Sequence, residues 1–63
     1  MDRESMTMVY EINGRRYTFA DVHHESGYLR GYCKMRKKWG WLFDNYIQLD
    51  GEDITFATRI SVP

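Results

Sequence analysis

The chain has 63 residues, with nine basic and nine acidic side chains, so its formal net charge is zero. A chain of this length buries only about 60% of the surface that its unfolded form exposes, which excludes a second domain and a deep active-site cleft. A hydrophobic content of 43%, including two Trp, five Tyr and three Phe, excludes a disordered tail and predicts one folded domain.

The N-terminal residues 1–7 mix charged and small polar side chains without periodicity, and we expect them to be flexible, ahead of a single domain at 8–62. Cys33 is the only cysteine, so no intramolecular disulfide can form and a reducing compartment is expected. No segment approaches the roughly 20 apolar residues that cross a bilayer, and no signal peptide is evident. We therefore expect a cytoplasmic protein without membrane contact.

A β-hairpin is predicted first, because Asn13-Gly14 tolerates the positive φ angles of a tight turn and separates two β-rich runs. On its first strand Met8, Tyr10 and Ile12 share a face. On its second strand the core face is either Tyr17 and Phe19 or Thr18, Ala20 and Val22, and the alternation leaves both registers open.

The third strand is predicted from Tyr28 to about Arg36, after a polar loop at 23–27 and before a turn at 37–40. Alternation assigns one side to the core and the other to solvent. The core side comprises Leu29, Gly31, Cys33 and Met35. The outer side comprises Tyr28, Arg30, Tyr32, Lys34 and Arg36.

Two more strands are predicted near the C-terminus. Residues 41–49 place Trp41, Phe43, Ile47 and Leu49 opposite Leu42, Asp44, Tyr46 and Gln48, with a bend or bulge at Asn45. After an acidic turn at 50–53, residues 54–60 place Ile54, Phe56, Thr58 and Ile60 opposite Thr55, Ala57 and Arg59. Five short β-runs without a helical period predict an all-β fold, a strongly bent five-stranded antiparallel sheet or partly open barrel.

Residues 28–41 form the candidate binding site, because they contain five of the nine basic residues and no acidic one. Basic side chains neutralise phosphates and aromatic rings stack on bases, but Tyr, Trp and Arg also dominate protein interfaces. The candidate binding residues are Tyr28, Arg30, Tyr32, Lys34, Arg36, Lys37, Lys38, Trp39 and Trp41. The structural alternative is a solvated strand face, whose tyrosines pack on neighbouring strands and whose bases pair with Asp21, Glu25, Asp44 or Glu52.

We expect no catalytic residue, cofactor or metal. Cys33 lies on the predicted core side, away from the basic neighbours that would activate a thiolate. His23, His24 and Cys33 do not supply the four ligands that zinc requires. The acidic turn at 50–53 is too short for a calcium loop, so the sequence favours a binding module over an enzyme.

The segment YLRGYCKMR resembles the WYL domain, an SH3-like β-barrel found mostly in bacterial transcription regulators and in some phage-defence proteins. Tyr28 and Leu29 match the last two residues of its hallmark triplet, Tyr32-Cys33 match the next pair, and Arg36 matches its arginine. The hairpin VYEINGRRYTF is similar to the family's opening strands, so the likeness covers about residues 9–47.

The resemblance implies an SH3-like barrel that binds nucleic acid or nucleotide-like ligands through arginines. Gly27 stands where the family has tryptophan, and WGWLFDNYI replaces the family's second arginine-rich strand without a basic residue. Arg36 is therefore the one family arginine with a counterpart in this chain. A departure of this kind favours docking on a larger macromolecule over a nucleotide pocket.

Three functional hypotheses follow from these patterns. The first is a small, non-enzymatic, WYL-like module that docks on a larger protein or nucleoprotein in a regulatory or phage-type inhibitory role. Its main contacts would be Tyr32, Arg36, Lys38, Trp39 and Trp41, or alternatively the aromatic strand at 41–49. The second is direct binding of single-stranded nucleic acid or a nucleotide ligand in transcription regulation. The third is self-association into a homo-oligomer through a free edge strand or through Trp41 and Tyr46.

Overall fold

A computed structural model describes residues 6–61, which form one all-β sheet. The seven antiparallel strands are β1 (Met6–Ile12), β2 (Arg15–Glu25), β3 (Tyr28–Cys33), β4 (Lys38–Leu42), β5 (Tyr46–Leu49), β6 (Ile54–Phe56) and β7 (Thr58–Ser61). The all-β prediction is confirmed, and the described residues contain no helix, but seven strands replace the predicted five. Met6 and Thr7 belong to β1 and not to a flexible segment, whereas residues 1–5 and 62–63 lie outside the described part of the chain.

Two-residue turns join β1 to β2 and β2 to β3. Asn13 and Gly14 have φ angles of 52° and 80°, as the first hairpin prediction requires. Ser26 and Gly27 repeat this geometry with φ angles of 54° and 84°. The second turn therefore occupies two residues, and the predicted loop at 23–27 is wrong, because His23, His24 and Glu25 continue β2.

A β-bulge at Asp21 decides which side chains of β2 enter the core. Asp21 has a φ of 56°, and the register with β3 shifts between Ala20 and His23. The extra residue reverses the alternation, so Phe19 and Val22 are both buried although they lie three positions apart. Each of the two predicted registers is thus correct for one half of the strand.

The third predicted strand ends earlier than expected. Lys37 donates its backbone N–H to the carbonyl of Cys33 at 2.8 Å, which closes a turn over residues 34–37. Met35 is half exposed and is not a core residue. Trp39 and Gly40 lie in β4, so the predicted turn at 37–40 is also wrong.

Gly40 serves close packing inside the barrel. It lies opposite Gly31 on the inner side of the β3–β4 pair. A Cβ atom at Gly40 would lie 2.6 Å from Leu49 Cδ2, and one at Gly31 would lie 2.8 Å from Val22 Cγ2. The two glycines let neighbouring side chains cross a strand pair that a methyl group would obstruct.

The last two predicted strands are each divided. Residues 43–45 separate β4 from β5, and the interruption places Leu42 inside and Trp41 outside, the reverse of the predicted faces. Ala57 separates β6 from β7 and is buried. Phe56 is 74% exposed, and Ile54 and Ile60 are also exposed, so the predicted apolar face of this run points outward.

The division at Ala57 closes the sheet into a nearly complete barrel. The strand order is β6-β5-β4-β3-β2-β1-β7, so β6 and β7 are the two edges. Because only Ala57 separates these strands in the sequence, the chain itself joins the edges, and Ala57 N–H donates to the carbonyl of Asn45 at 3.1 Å. The buried core comprises Met8, Tyr10, Ile12, Phe19, Val22, Cys33, Leu42, Ile47, Leu49 and Ala57.

Candidate functional site

The outer side of β3 and β4 carries most of the candidate binding residues. In the register between these strands, Arg30 lies opposite Trp41 and Tyr32 lies opposite Trp39. Since directly paired residues share a face, both tryptophans project on the same side as the predicted basic and aromatic residues of β3. The predicted alternation of Tyr28, Arg30 and Tyr32 against buried Gly31 and Cys33 is confirmed.

Six aromatic side chains on this side form what we call the outer aromatic face: Tyr28, Tyr32, Trp39, Trp41, Phe43 and Tyr46. Tyr32 meets Trp39 edge to face at 5.5 Å between ring centroids. Tyr28 meets Trp41 at 6.3 Å and Phe43 at 5.6 Å in the same manner. Phe43 stacks on Tyr46 at 4.3 Å with an interplanar angle of 16°. The three edge-to-face separations are within the favourable range for aromatic pairs, and the Phe43–Tyr46 stack is slightly closer, so the rings support one another on the outside of the barrel.

Arg30 joins the two halves of the outer aromatic face. Its guanidinium carbon lies 4.7 Å from the ring centroid of Trp41 and 5.9 Å from that of Trp39, within cation–π distance of both indoles. The guanidinium also donates two hydrogen bonds to the Asp50 carboxylate, at 2.8 and 2.6 Å. The side chain is therefore fixed and only 17% exposed.

The acidic turn after β5 pairs with three of the basic residues near this face. Hydrogen bonding from Arg30 holds the pKa of Asp50 below its usual value. Arg36 and Lys38 both donate to Glu52, at 2.6 and 2.8 Å, and the hydrogen bond from Lys38 lowers the pKa of the Glu52 carboxyl. Three of the predicted binding cations thus have carboxylate partners within the same molecule.

The structural alternative predicted four acidic partners for the basic residues. Of these, Glu52 pairs with Arg36 and Lys38. Asp44 instead lies 3.5 Å from Arg59, and Glu25 lies 3.2 Å from His23. The partner of Arg30 is Asp50, which the sequence pattern did not single out.

Lys34 and Lys37 differ from the other candidate residues. Both are exposed in the turn between β3 and β4, and no ion pair engages either of them within residues 6–61. The predicted site therefore has three parts: aromatic rings in mutual contact, cations paired with carboxylates, and two lysines in the turn.

Sequence reasoning left three contributors to this surface out of the candidate binding residues. Phe43 and Tyr46 were considered only within the alternative docking strand 41–49 or for self-association. They were placed on opposite faces of one strand, because the break at 43–45 was predicted only as a bend or bulge at Asn45. His23 was placed in a loop, yet its ring meets Trp39 edge to face at 6.1 Å. The aromatic character of WGWLFDNY was the available signal for Phe43 and Tyr46.

The remaining polar candidates have ordinary structural surroundings. Cys33 is fully buried in the core, as predicted. The Nδ1 and Nε2 atoms of His23 lie within hydrogen-bonding distance of the Asp21 carbonyl and the Glu25 carboxylate, at 3.0 and 3.2 Å. Across residues 6–61, no three His, Cys, Asp or Glu side chains cluster in a way that could hold a metal ion.

The fold and this surface together define a small all-β barrel with an aromatic outer face. No family model, curated protein or solved structure matches the chain. Among the described residues, no helix is long and apolar enough to span a membrane.

Proposed function

We propose that the chain is a small, non-enzymatic binding module that docks on a larger protein through the outer aromatic face. The observation that carries this proposal is the clustering of rings on the outside of the barrel, where they are not needed to fill the core. The rings form two groups of contacts, and Arg30 joins the groups through Trp39 and Trp41. Clustered exposed apolar side chains are typical of interaction sites, whereas single scattered ones are normal on protein surfaces. Tyr, Trp and Arg, which make up most of this face, are the residues that contribute most to protein interfaces.

Two exposed rings support docking on this surface. Tyr28 is 55% exposed. Phe56 lies opposite Tyr46 in the β5–β6 register and extends the face with a ring that is 74% exposed. Burying these two rings against a partner would remove a large apolar area from water at little cost in side-chain entropy.

The charge distribution favours a protein partner over nucleic acid. Polynucleotide binding depends on cations that replace the counterions of several phosphates. Arg30, Arg36 and Lys38 already have carboxylate partners at 2.6 to 2.8 Å. A phosphate would have to compete with Asp50 and Glu52 for each of them, whereas a protein can cover the rings with those ion pairs intact.

Direct binding of single-stranded nucleic acid is the second candidate function. The exposed Lys34 and Lys37 next to aromatic rings are the observation in its favour. Binding of this kind predicts affinity for oligonucleotides that falls steeply with salt and drops further in the Lys34→Ala, Lys37→Ala double variant. No detectable oligonucleotide binding at low salt would eliminate it.

Affinity capture from a bacterial lysate tests the docking proposal. The bait is the chain itself, and the comparison variant is Tyr28→Ser combined with Phe56→Ser, both at exposed positions. Ile60→Ser is the matched control, because it also removes an exposed apolar side chain but lies on β7, which pairs with β1 and carries none of the six rings. We expect one stoichiometric protein with the wild type and with the control, and about tenfold less with the double variant.

Two results would contradict docking through this face. One is the absence of any stoichiometric protein in the wild-type capture. The other is equal recovery by the wild type and the Tyr28→Ser, Phe56→Ser variant, with circular dichroism confirming that the variant is folded.

The proposed docking module also has features of an SH3-like barrel of the WYL family. An SH3-like barrel of the WYL type is supported by the hairpin around Asn13-Gly14 and by the alternation of outward Tyr28 and Tyr32 with inward Leu29 and Cys33. Arg36, the counterpart of the family arginine, pairs with Glu52, which favours docking over a nucleotide pocket. We propose a regulatory or inhibitory role in the cytoplasm, because a free cysteine such as the buried Cys33 is typical of proteins in a reducing compartment.

A further inference from the structure

A groove lies beside the outer aromatic face, where the start of β2 meets the residues that follow β3. It has a volume of about 380 Å³ and is lined by Arg16, Thr18, Lys34 and Met35. Lys34 donates its backbone N–H to the carbonyl of Thr18 at 3.1 Å, so one further bond continues the β2–β3 ladder and sets the position of the lysine. Two cationic side chains, a hydroxyl and an exposed thioether therefore line one concave surface.

The groove is continuous with the outer aromatic face. Ala20 lies opposite Tyr32 in the β2–β3 register. Thr18 and Lys34 are the residues two positions further along each strand, and side chains two positions apart project on the same side of a sheet. A partner lying on Tyr32 would reach the groove without leaving the surface.

The cations of this groove differ electrostatically from those around Trp41. Arg30, Arg36, Lys38 and Arg59 each have a carboxylate within 3.5 Å. Neither Arg16 nor Lys34 takes part in an ion pair in the part of the chain that the structure describes. Glu11 is the cross-strand neighbour of Arg16, yet no ion pair joins the two. An incoming anion would relieve the repulsion between the two cations without displacing an existing partner.

We propose that this groove binds the carboxylates of an acidic segment of a protein partner. The proposal rests on the docking function and specifies the chemistry of the partner: apolar side chains over the aromatic face, followed by Glu or Asp at the groove. Lys and Arg on the groove walls match carboxylates in charge and hydrogen bonding, and the Thr18 hydroxyl can donate one more bond. Met35, which is 50% exposed, offers an adaptable apolar contact to the stem of an acidic side chain.

The size of the groove favours an acidic peptide over a polynucleotide. Nucleic acid is held by a cationic track that follows several successive phosphates. Here the groove holds only two cations, Arg16 and Lys34, because the neighbouring Arg36 and Lys38 are bound to Glu52.

A titration of the purified chain tests the inference without reference to any lysate. The probes are a hexaglutamate peptide, a hexaglutamine peptide of the same length, and a thymidine hexanucleotide, each followed by amide chemical shifts in ¹H–¹⁵N NMR. We expect hexaglutamate to shift the amides of Arg16, Thr18 and Lys34, and hexaglutamine to leave them unchanged. The Arg16→Gln, Lys34→Gln double variant should bind hexaglutamate about tenfold more weakly.

The matched control is the Arg15→Gln, Lys37→Gln double variant. It removes the same two charges from exposed positions that do not line the groove, so it separates local binding from the effect of net charge. We expect it to retain most of the affinity for hexaglutamate. Equal weakening by both double variants would overturn the inference, as would absence of shifts at the groove. Tighter binding of the hexanucleotide through the same residues at equal ionic strength would assign the groove to phosphate instead.

The two proposals fail in different ways. If the groove does not bind hexaglutamate but capture still depends on Tyr28 and Phe56, docking stands and the acidic partner is wrong. If hexaglutamate binds at the groove but capture recovers no protein, the anion site stands and docking through the aromatic face is wrong.

Discussion

Arg30 and Asp50 are 20 residues apart in the chain, yet the guanidinium of one donates two hydrogen bonds to the carboxylate of the other. The pair spans β4, because Arg30 lies on β3 and Asp50 follows β5. Trp41, the β4 residue opposite Arg30, lies against the guanidinium. The pair therefore fixes the acidic turn over the basic strand and holds an indole ring in place on the outer face.

The first prediction concerns the contribution of this pair to stability. Arg30→Lys removes both the two-point hydrogen bonding and the planar contact with the indoles, which an ammonium group cannot reproduce. Asp50 is half exposed, so solvent screens the pair. We expect Arg30→Lys to lower the free energy of unfolding by about 1 kcal/mol, and a double-mutant cycle with Asp50→Asn to give a coupling energy of similar size. Urea denaturation followed by tryptophan fluorescence measures both.

Arg59→Lys provides the control for this cycle. Arg59 lies 3.5 Å from Asp44, whose side chain is 89% exposed. Such a pair contributes little, and we expect a change below about 0.5 kcal/mol. A coupling energy near zero for Arg30 and Asp50 would mean that the hydrogen-bonded ion pair between them does not stabilise the fold.

The second prediction is a loss of stability in acid. The ordinary pKa values of Asp50 and Glu52 are 3.8 and 4.5, and hydrogen bonds from Arg30 and Lys38 lower both in the folded chain. The unfolded chain therefore binds more protons as these carboxylates titrate, and stability falls with decreasing pH. The two carboxylates make their full contribution to the free energy of unfolding above about pH 5. This contribution is lost as the pH falls through their pKa values in the folded chain. Urea midpoints between pH 7 and pH 2 follow this loss.

The Asp50→Asn, Glu52→Gln double variant identifies the groups responsible. It lacks both titrating carboxyls, so we expect a lower stability at pH 7 and a flatter dependence below pH 5. Any remaining slope comes from other carboxyl groups. If the stability of the double variant fell with decreasing pH as steeply as that of the wild type, groups other than Asp50 and Glu52 would be responsible for the loss.

Local signals in the sequence explain which parts of this fold could be predicted. Asn13-Gly14 fixes the first hairpin because positive φ at two successive residues is a local property. The outward placement of Tyr28, Arg30 and Tyr32 follows from simple alternation. These local patterns located the hairpin, the central strand and most residues of the outer aromatic face.

The remaining features depend on residues that are distant in the chain. Ala57 is buried and Phe56 is exposed because the last run leaves β5 and joins β1, which is a consequence of barrel closure. Asp21 has a positive φ despite having a side chain, and no neighbouring residue marks this bulge in advance. The sequence did not single out Asp50 as the partner of Arg30. Their pairing depends on the sheet order, in which β4 lies between β3 and the strand that precedes Asp50.

The third prediction concerns the facing glycines of β3 and β4. Alanine ordinarily improves a strand interior relative to glycine by about 0.5 to 1 kcal/mol. At Gly40 the added Cβ would lie 2.6 Å from Leu49 Cδ2 and 3.2 Å from the Gln48 carbonyl oxygen, so crowding outweighs that gain. We expect Gly40→Ala and Gly31→Ala each to lower the free energy of unfolding by about 1 to 3 kcal/mol, as measured by urea denaturation.

A second substitution separates crowding from other effects of alanine. The methyl group of Gly31→Ala would lie 2.8 Å from Val22 Cγ2, and Val22→Ala removes that atom. We therefore expect Gly31→Ala to cost less in the Val22→Ala background than in the wild type. An equal cost in both backgrounds would show that contact with Val22 is not the cause.

The fourth prediction concerns Tyr10, the fully buried residue at the centre of the core. Its hydroxyl donates to the carbonyl of Phe43 at 3.0 Å, and burial raises its pKa above the usual value of 10.0. A raised pKa in the folded chain means that stability is complete below pH 10 and falls as the pH rises above it, because only the unfolded chain ionises freely there. Tyr10→Phe should lower the free energy of unfolding by about 1 kcal/mol at pH 7 through the lost hydrogen bond, and should lessen the loss of stability between pH 9 and pH 11.

Urea midpoints between pH 7 and pH 11 measure both effects, with Tyr17→Phe as a control at a half-buried tyrosine. Unchanged stability at pH 7, or an alkaline slope as steep as in the wild type, would show that the Tyr10 hydroxyl does not link the core to the break between β4 and β5.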